Sequence, residues 1–255
     1  MMADILSSAE TAFRAYTDPY RRYGDKIILK IEHSHRVRQL SENIAASLGP
    51  QCAEVELSAV CGLLHDIGRF EQWKEYGTYN DGRSVDHGDL GAEILGADGF
   101  LDFLCPADRA ALLKVVRVHN KYDLPSDMTD RECRLAKVIR DADKIDVFRL
   151  YTDRSSAKLS KGSAFSLHIF QAMLAENPIR GSEIRTKADE IAVSLAFVFD
   201  LNYRRSFEIM DSSGYIDRLI AIQTEEASNS ELKKQLTEAG KCINRYIERR
   251  LLNAE

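Results

Sequence analysis

The sequence predicts an all-α fold. Apolar residues recur at three- and four-residue intervals along most of its 255 residues, alternating strand-like runs are scarce, and only 5 prolines interrupt it. Helices are expected near 4–16, 26–48, 54–67, 87–97, 106–119, 131–150, 164–176, 186–210 and 231–252. Loops are expected at Gly49-Pro50, over the glycine-rich stretch 77–86, at Leu124-Pro125-Ser126 and at Asn177-Pro178. There is no internal repeat and no low-complexity tract. Composition shifts modestly after about residue 150 without a Pro/Ser-rich linker. The expectation is therefore one all-helical domain over 1–255, with a core at about 26–150 and a C-terminal helical extension at about 151–255.

Composition narrows the class further. A chain of this length with 44% hydrophobic residues can bury a substantial core. Its net charge of −5, with both signs interspersed, offers no basic stripe for a phosphate backbone, so a long nucleic acid is not an expected partner. Cys52, Cys61, Cys105, Cys133 and Cys242 are odd in number, widely spaced and without a CxxC pair. That suits ordinary thiols in a reducing compartment. The Met1-Met2-Ala3-Asp4-Ile5-Leu6-Ser7 start has no cationic stretch before an apolar run, and no later segment reads as membrane-spanning. A cytoplasmic protein that does not associate with membranes is expected.

Helical phase places several polar residues on apolar faces. Val37, Leu40, Ile44 and Leu48 form an inward stripe, and four residues back from Val37 lies His33. His35 sits about 200° round that helix from His33, on the side of Gln39 and Glu42, and is expected to face water. His65 and Asp66 lie in the apolar segment Leu63-Leu64-His65-Asp66-Ile67-Gly68-Arg69-Phe70, where both need partners. His87 begins the stripe continued by Leu90, Gly91 and Ile94. Leu112, Val115 and Val116 lead to His119, and Leu135 and Ile139 lead to Asp143 with Val147 and Leu150 beyond. One inward histidine is ordinarily a hydrogen-bonded core residue. Five separated stretches each supplying a ligand-type residue are harder to assign to packing alone.

Imidazoles and carboxylates together suit Mn²⁺, Fe²⁺, Co²⁺, Ni²⁺ or Zn²⁺ rather than Mg²⁺ or Ca²⁺. One or two ions are expected. His33, His65, Asp66 and Asp143 would hold the first, and Asp66 would bridge to a second held by His87 and His119.

His33-Ser34-His35-Arg36-Val37, then His65-Asp66-Ile67-Gly68, then Asp143 after Arg140-Asp141-Ala142 resembles the His…His-Asp…Asp signature of the HD-domain superfamily of metal-dependent phosphohydrolases. The resemblance spans roughly 26–150. It implies an all-helical HD bundle, a metal bound by His33, His65, Asp66 and Asp143, and phosphoester hydrolysis, with His87 and His119 placed like the further ligands of two-metal members. The Gly-Tyr-Pro motif of cyclic-di-GMP phosphodiesterases is absent after His119, where the chain reads Asn120-Lys121-Tyr122-Asp123-Leu124-Pro125. The HDIGRF run, with Tyr76-Gly77-Thr78-Tyr79, resembles a bacterial HD branch without generally assigned substrates.

A phosphoester needs cations beyond the metal. Arg69, Lys121, Lys144 and Arg149 are the candidates for substrate binding, with Asp66, Arg69 and Lys144 as the catalytic set. The segment 76–86 offers either a cover that closes over substrate or a plain surface connection, and Asp86 is a candidate to orient His87. In the C-terminal part, Ile191, Leu195, Val198 and Phe199 run to Asn202, and Leu232, Leu236, Ile243, Ile247 and Leu251 form another stripe. Both are core or homo-oligomer faces. His168 is read as structural, and Tyr203-Arg204-Arg205 as a further candidate to reach a phosphate or base. The expected activity is metal-dependent hydrolysis of a small phosphorylated metabolite, a nucleotide for preference, as a phosphomonoesterase or phosphodiesterase. Its rivals are an HD-fold di-iron oxygenase, which the six-ligand set also resembles, and a non-catalytic metabolite-binding HD module.

Overall fold

The computed structural model describes residues 4–49, 52–152 and 163–252, excepting the side chains at 52 and 53. Met1–Ala3, Pro50 of the expected Gly49-Pro50 loop and the Cys52 thiol lie outside it. The described residues are helical with no strand, as the periodicity predicts. No helix among them is long and apolar enough to cross a membrane. Cys61, Cys105, Cys133 and Cys242 are free thiols.

The chain divides into two compact units, Met1–Asp143 and Lys144–Glu255. The first contains α1 (Ile5–Thr17), α2 (Asp25–Ala46), α3 (Cys52–Leu64), α4 (Gly68–Tyr76), α5 (His87–Gly96) and α6 (Pro106–Val118), and the division falls within α7 (Asp130–Tyr151). α2 packs along α3, α1 lies on α3, and α5 is held between α4 and α6. The helix expected over 54–67 ends at Leu64, followed by a tight turn through His65, Asp66 and Ile67 and then α4, which the sequence reading leaves unassigned. In that turn the Ile67 amide donates to the Leu64 carbonyl at 3.1 Å and the Arg69 amide to Asp66 at 2.9 Å.

The inward stripes are largely buried, with local exceptions. Val37 and Ile44 of α2 are fully enclosed, whereas Leu48, beyond the helix, is exposed. On α5 the buried face is His87, Gly88, Gly91, Ala92 and Leu95, one position round from the expected Leu90 and Ile94. His35 does not point freely into water. It is half-buried, edge-on to Phe13 with ring centroids 5.5 Å apart, because α1 covers that side of α2.

The second unit contains α8 (Leu167–Leu174), α9 (Lys187–Ala196), α10 (Arg204–Ser213), α11 (Tyr215–Glu226) and α12 (Ser230–Leu252). α12 packs on α8, α10 and α11, burying Leu232, Leu236, Ile243 and Ile247. The single helix expected over 186–210 is two, because a 3₁₀ turn at Phe197–Asp200 and extended backbone at Leu201 and Tyr203 separate α9 from α10. α11 is an additional helix, entered through Gly214 at φ 62° and buried along Ile216, Leu219 and Gln223. The fully buried Asp189 accepts from the Ser166, Arg185 and Thr186 amides and the Ser166 hydroxyl, which fastens the start of α9.

Close helix approach in the first unit depends on Gly68. A Cβ there would lie 2.3 Å from the His87 carbonyl oxygen and 2.7 Å from the Gly91 amide nitrogen, both backbone atoms of α5. Gly68→Ala is expected to destabilise the protein by about 1–3 kcal/mol in urea unfolding, as an overpacked interior does. Gly96→Ala, whose Cβ meets nothing within 4 Å, is the comparison and should cost nothing measurable.

Candidate metal centre

Six side chains from five segments of the first unit converge, four of them histidines that face the carboxylate of Asp66. His33 comes from α2, His65 and Asp66 from the turn after α3, His87 from the first residue of α5, His119 from the end of α6, and Asp143 from α7. All but Asp143 are buried; its side chain is 30% exposed, which leaves the group one solvent-facing edge. Asp66 directs its two oxygens to different partners. Oδ2 lies 3.5 Å from His33 Nε2 and 3.6 Å from His65 Nε2, while Oδ1 lies 3.4 Å from His87 Nε2 and 3.7 Å from His119 Nε2. Asp143 Oδ1 closes the first nest, 3.1 Å from His33 Nε2 and 3.8 Å from His65 Nε2. His33, His65 and Asp143, and His65, Asp66 and His119, have ligand atoms close enough together to hold an ion.

Three of the histidines have their tautomers fixed from behind. His65 Nδ1 donates to the Gly62 carbonyl at 2.8 Å, and His119 Nδ1 to the Val116 carbonyl at 2.6 Å. Each uses a carbonyl three residues earlier, one of those a helix terminus leaves without an intrahelical partner. His87 Nδ1 donates to Asp81 Oδ2 at 2.6 Å. With Nδ1 protonated, the inward Nε2 of a neutral ring carries a lone pair.

These lone pairs make the cluster a test of what it can hold. His65 Nε2 is buried without a hydrogen-bond partner. His87 Nε2 and His119 Nε2 face each other at 3.1 Å, an unfavourable contact unless a proton or another cation lies on the pair. Burial pushes His87 down to about 4, against the opposing pull of Asp81, and burial likewise lowers His65, so protons are disfavoured near neutral pH. A divalent ion answers the same lone pairs, its charge balanced by the carboxylates of Asp66 and Asp143. Buried nitrogen donors beside carboxylate oxygens fit a divalent metal ion.

The carboxylates carry the negative charge. Burial pushes Asp66 up, but Lys30 and then His65 outweigh it and hold the group well below the usual carboxylate range. At Asp143 the imidazoles of His33 and His65 likewise outweigh burial. Lys30 escapes the sequence reading altogether, yet its Nζ lies 2.5 Å from Asp66 Oδ2. The signal for it is helical: Lys30 stands one turn ahead of His33 on α2.

Other anchors also come from outside the candidate set. Asp81 orients His87, not Asp86. Asp86 instead caps α5, accepting from the Gly88 and Asp89 amides, and pairs with Lys121 at 2.6 Å. Buried Arg140 donates to the backbone carbonyls of His119, Lys121 and Tyr122, bracing the chain just after α6. Neither Asp81 nor Arg140 has a periodicity that marks it as a support.

The proposed cations are placed unequally. Arg69 is at the cluster, Nε 3.5 Å from Asp66 Oδ1, but its Nη1 is engaged by Gln72 Oε1, the Tyr79 carbonyl and Asp81 Oδ1 at 2.6–2.8 Å. Lys121 is tied to Asp86 and Asp89. Lys144 and Arg149 belong to the second unit, paired there with Asp200 at 2.9 Å and Asp146 at 2.7 Å. In that unit Arg204 and Arg205 pair with Glu208, and His168 bonds the Glu183 carbonyl.

The Asp81 anchor has a measurable consequence. Asp81→Asn is expected to weaken Mn²⁺ held through His87 by about 10–100-fold in calorimetric titration, the usual effect of losing a ligand's outer partner. An ion held by His33, His65 and Asp143 should be spared; an unchanged titration would remove the role given to Asp81.

No curated protein and no solved structure matches the chain significantly. Residues 31–147 match the family described as the HD domain, a segment that contains all six converging side chains. Over this segment, which is under half of its length, the chain is similar to the HD domain, a superfamily made up generally of metal-dependent hydrolases.

Proposed function

We propose that the first unit hydrolyses the phosphoester of a small phosphorylated metabolite, a nucleotide for preference, with a divalent transition metal as cofactor. The observation that carries this reading is the division of Asp66, with one oxygen facing His33 and His65 and the other facing His87 and His119. The ions these residues would hold supply Lewis acidity toward a phosphoryl oxygen and lower the pKa of water.

The chain's own residues do the rest. Asp66 and Asp143 supply the charge that retains the cations, and the Nδ1–H bonds of His65, His87 and His119 keep each ring turned inward. A small substrate would reach the cluster from the side of Asp143, whose side chain is 30% exposed. Neighbouring cations favour an anionic substrate: Lys30 is bonded to Asp66 Oδ2, and Arg69 lies 3.5 Å from Oδ1. Electrostatic stabilisation of this kind is the main demand of phosphoryl transfer.

Asp66→Asn keeps the side-chain shape and removes the shared charge. It is expected to abolish both Mn²⁺ retention, read by elemental analysis, and hydrolysis of a panel of nucleoside monophosphates and sugar phosphates. Wild-type turnover that persists in excess chelator would overturn the proposal. So would a wild-type protein, loaded with Mn²⁺, that cleaves nothing in the panel; oxygen consumption by the iron-loaded protein would instead support the oxygenase.

His33→Ala and His35→Ala provide an internal contrast. The first should lose metal. The second should retain it and cost only about 0.5–1.5 kcal/mol of stability from the lost ring pair with Phe13.

A further inference from the structure

We propose that Lys30 is a phosphate-binding residue of this site, held on Asp66 Oδ2 in readiness for an anionic substrate. The proposal rests on the phosphohydrolase reading and names the side chain that would take the transferred group's oxygens. Lys30 lies one residue ahead of the segment matched as an HD domain, outside the six converging side chains.

Three observations place it. First, its Nζ bonds Asp66 Oδ2 at 2.5 Å, the same oxygen that faces the Nε2 atoms of His33 and His65. An ion taken up by that nest draws on the oxygen that holds the ammonium. Two cations on one carboxylate oxygen repel, so Lys30 gains from a second anionic acceptor.

Second, the side chain is fenced. Its ammonium stands 5.7 Å from the centre of the Tyr79 ring, and Tyr79 is fixed in turn. The Tyr79 hydroxyl donates to the Lys26 carbonyl at 3.0 Å, one turn earlier on the same helix, and its ring lies on Trp73 with centroids 4.7 Å apart. Arg69 holds the Tyr79 carbonyl from the other side. Lys30 therefore has a short path between Asp66 and open solvent, and 21% of its side chain is already exposed. Preorganisation of this kind reduces the entropy lost when a flexible cation binds its ligand.

Third, the charge balance needs it. The neighbouring Arg69 and Asp81 neutralise each other at 2.8 Å. Asp66 and Asp143 with Lys30 then leave the cluster one net negative charge, which a single divalent ion converts to one net positive. Without Lys30 a site with one ion would be neutral, and a phosphate would gain little by entering. Arg69 cannot take the same part as readily, since its Nη1 already holds Gln72, Tyr79 and Asp81 together.

The test compares Lys30→Gln and Lys30→Arg with wild type in the full chain, with Mn²⁺ and then inorganic phosphate as calorimetric probes. Lys30→Gln is expected to bind Mn²⁺ as tightly as wild type or severalfold more tightly, because a competitor for Asp66 is gone. Its Mn²⁺-loaded form should bind phosphate about tenfold or more weakly, the usual effect of losing a charge-assisted hydrogen bond. Lys30→Arg should recover most of that loss. Unchanged phosphate affinity in Lys30→Gln would overturn the proposal. So would weakened Mn²⁺ binding, which would make the Lys30–Asp66 bond a support for the metal site rather than a hold that phosphate can replace. These readouts need no turnover, so failure of the phosphoester panel in wild type would sink the hydrolase reading and remain distinguishable from failure of the role given to Lys30.

Discussion

The first unit is organised around one buried carboxylate that must stay ionised. An isolated carboxylate at the depth of Asp66 would be strongly disfavoured, since burial penalises the charged form. Lys30 and the surrounding imidazoles reverse that preference. Everything else in the unit bears on keeping these partners in place. The tight turn after α3 presents His65 and Asp66 in succession to the buried cluster, with His65 Nε2 3.6 Å from Asp66 Oδ2. The close approach of α4 to α5 at Gly68 brings His87 to the opposite oxygen. A side chain at Gly68 would separate the backbone segments that deliver the two halves of the site.

Directionality comes from the far side of each ring. Two of the four histidines stand at helix ends and give Nδ1–H to a carbonyl of the last turn. The same bond completes the helix and turns the donor nitrogen inward, so folding and metal affinity share one interaction. His87, at the start of a helix, has no such carbonyl. It relies on Asp81, whose other oxygen accepts from Arg69 and Gln72. The two nests differ accordingly: His65 is oriented by its own helix, whereas His87 depends on a charge network carried by a loop.

This difference explains which parts of the site were legible in the sequence. The all-α class and the separate inward placement of His33, His87 and His119 follow from a 3.6-residue period, which reports the side of a helix a residue occupies. The same period gives His33 precedence over His35. It cannot report what a neighbouring helix covers, which is why His35 rests against Phe13. Nor does it reach α4, a short helix whose polar Gln72 is fully buried for its hydrogen bonds. Asp81 lies in an irregular segment where no period applies. Lys30 was within reach, since it shares a face with His33, but long basic side chains near a helix surface are ordinarily solvated. Only the position of Asp66 Oδ2 distinguishes it.

The segment that leads into His87 has the glycine and aromatic content of a cover, yet its bonds are those of a brace. Gln72 Nε2 donates to Asp81 Oδ1, Ser84 Oγ and the Val85 carbonyl at 2.8–2.9 Å, and Arg69 fixes the Tyr79 carbonyl. Opening it would break these contacts together and leave the buried Gln72 amide unpaired, a penalty of about 1–3 kcal/mol for that group alone. Opening would also withdraw Asp81 from His87 and release the ring. A segment that must stay closed to hold a ligand in register is poorly suited to open at each turnover. The mobility needed at this site falls more naturally to single side chains at its rim, where Lys30 and Asp143 combine charge with partial exposure.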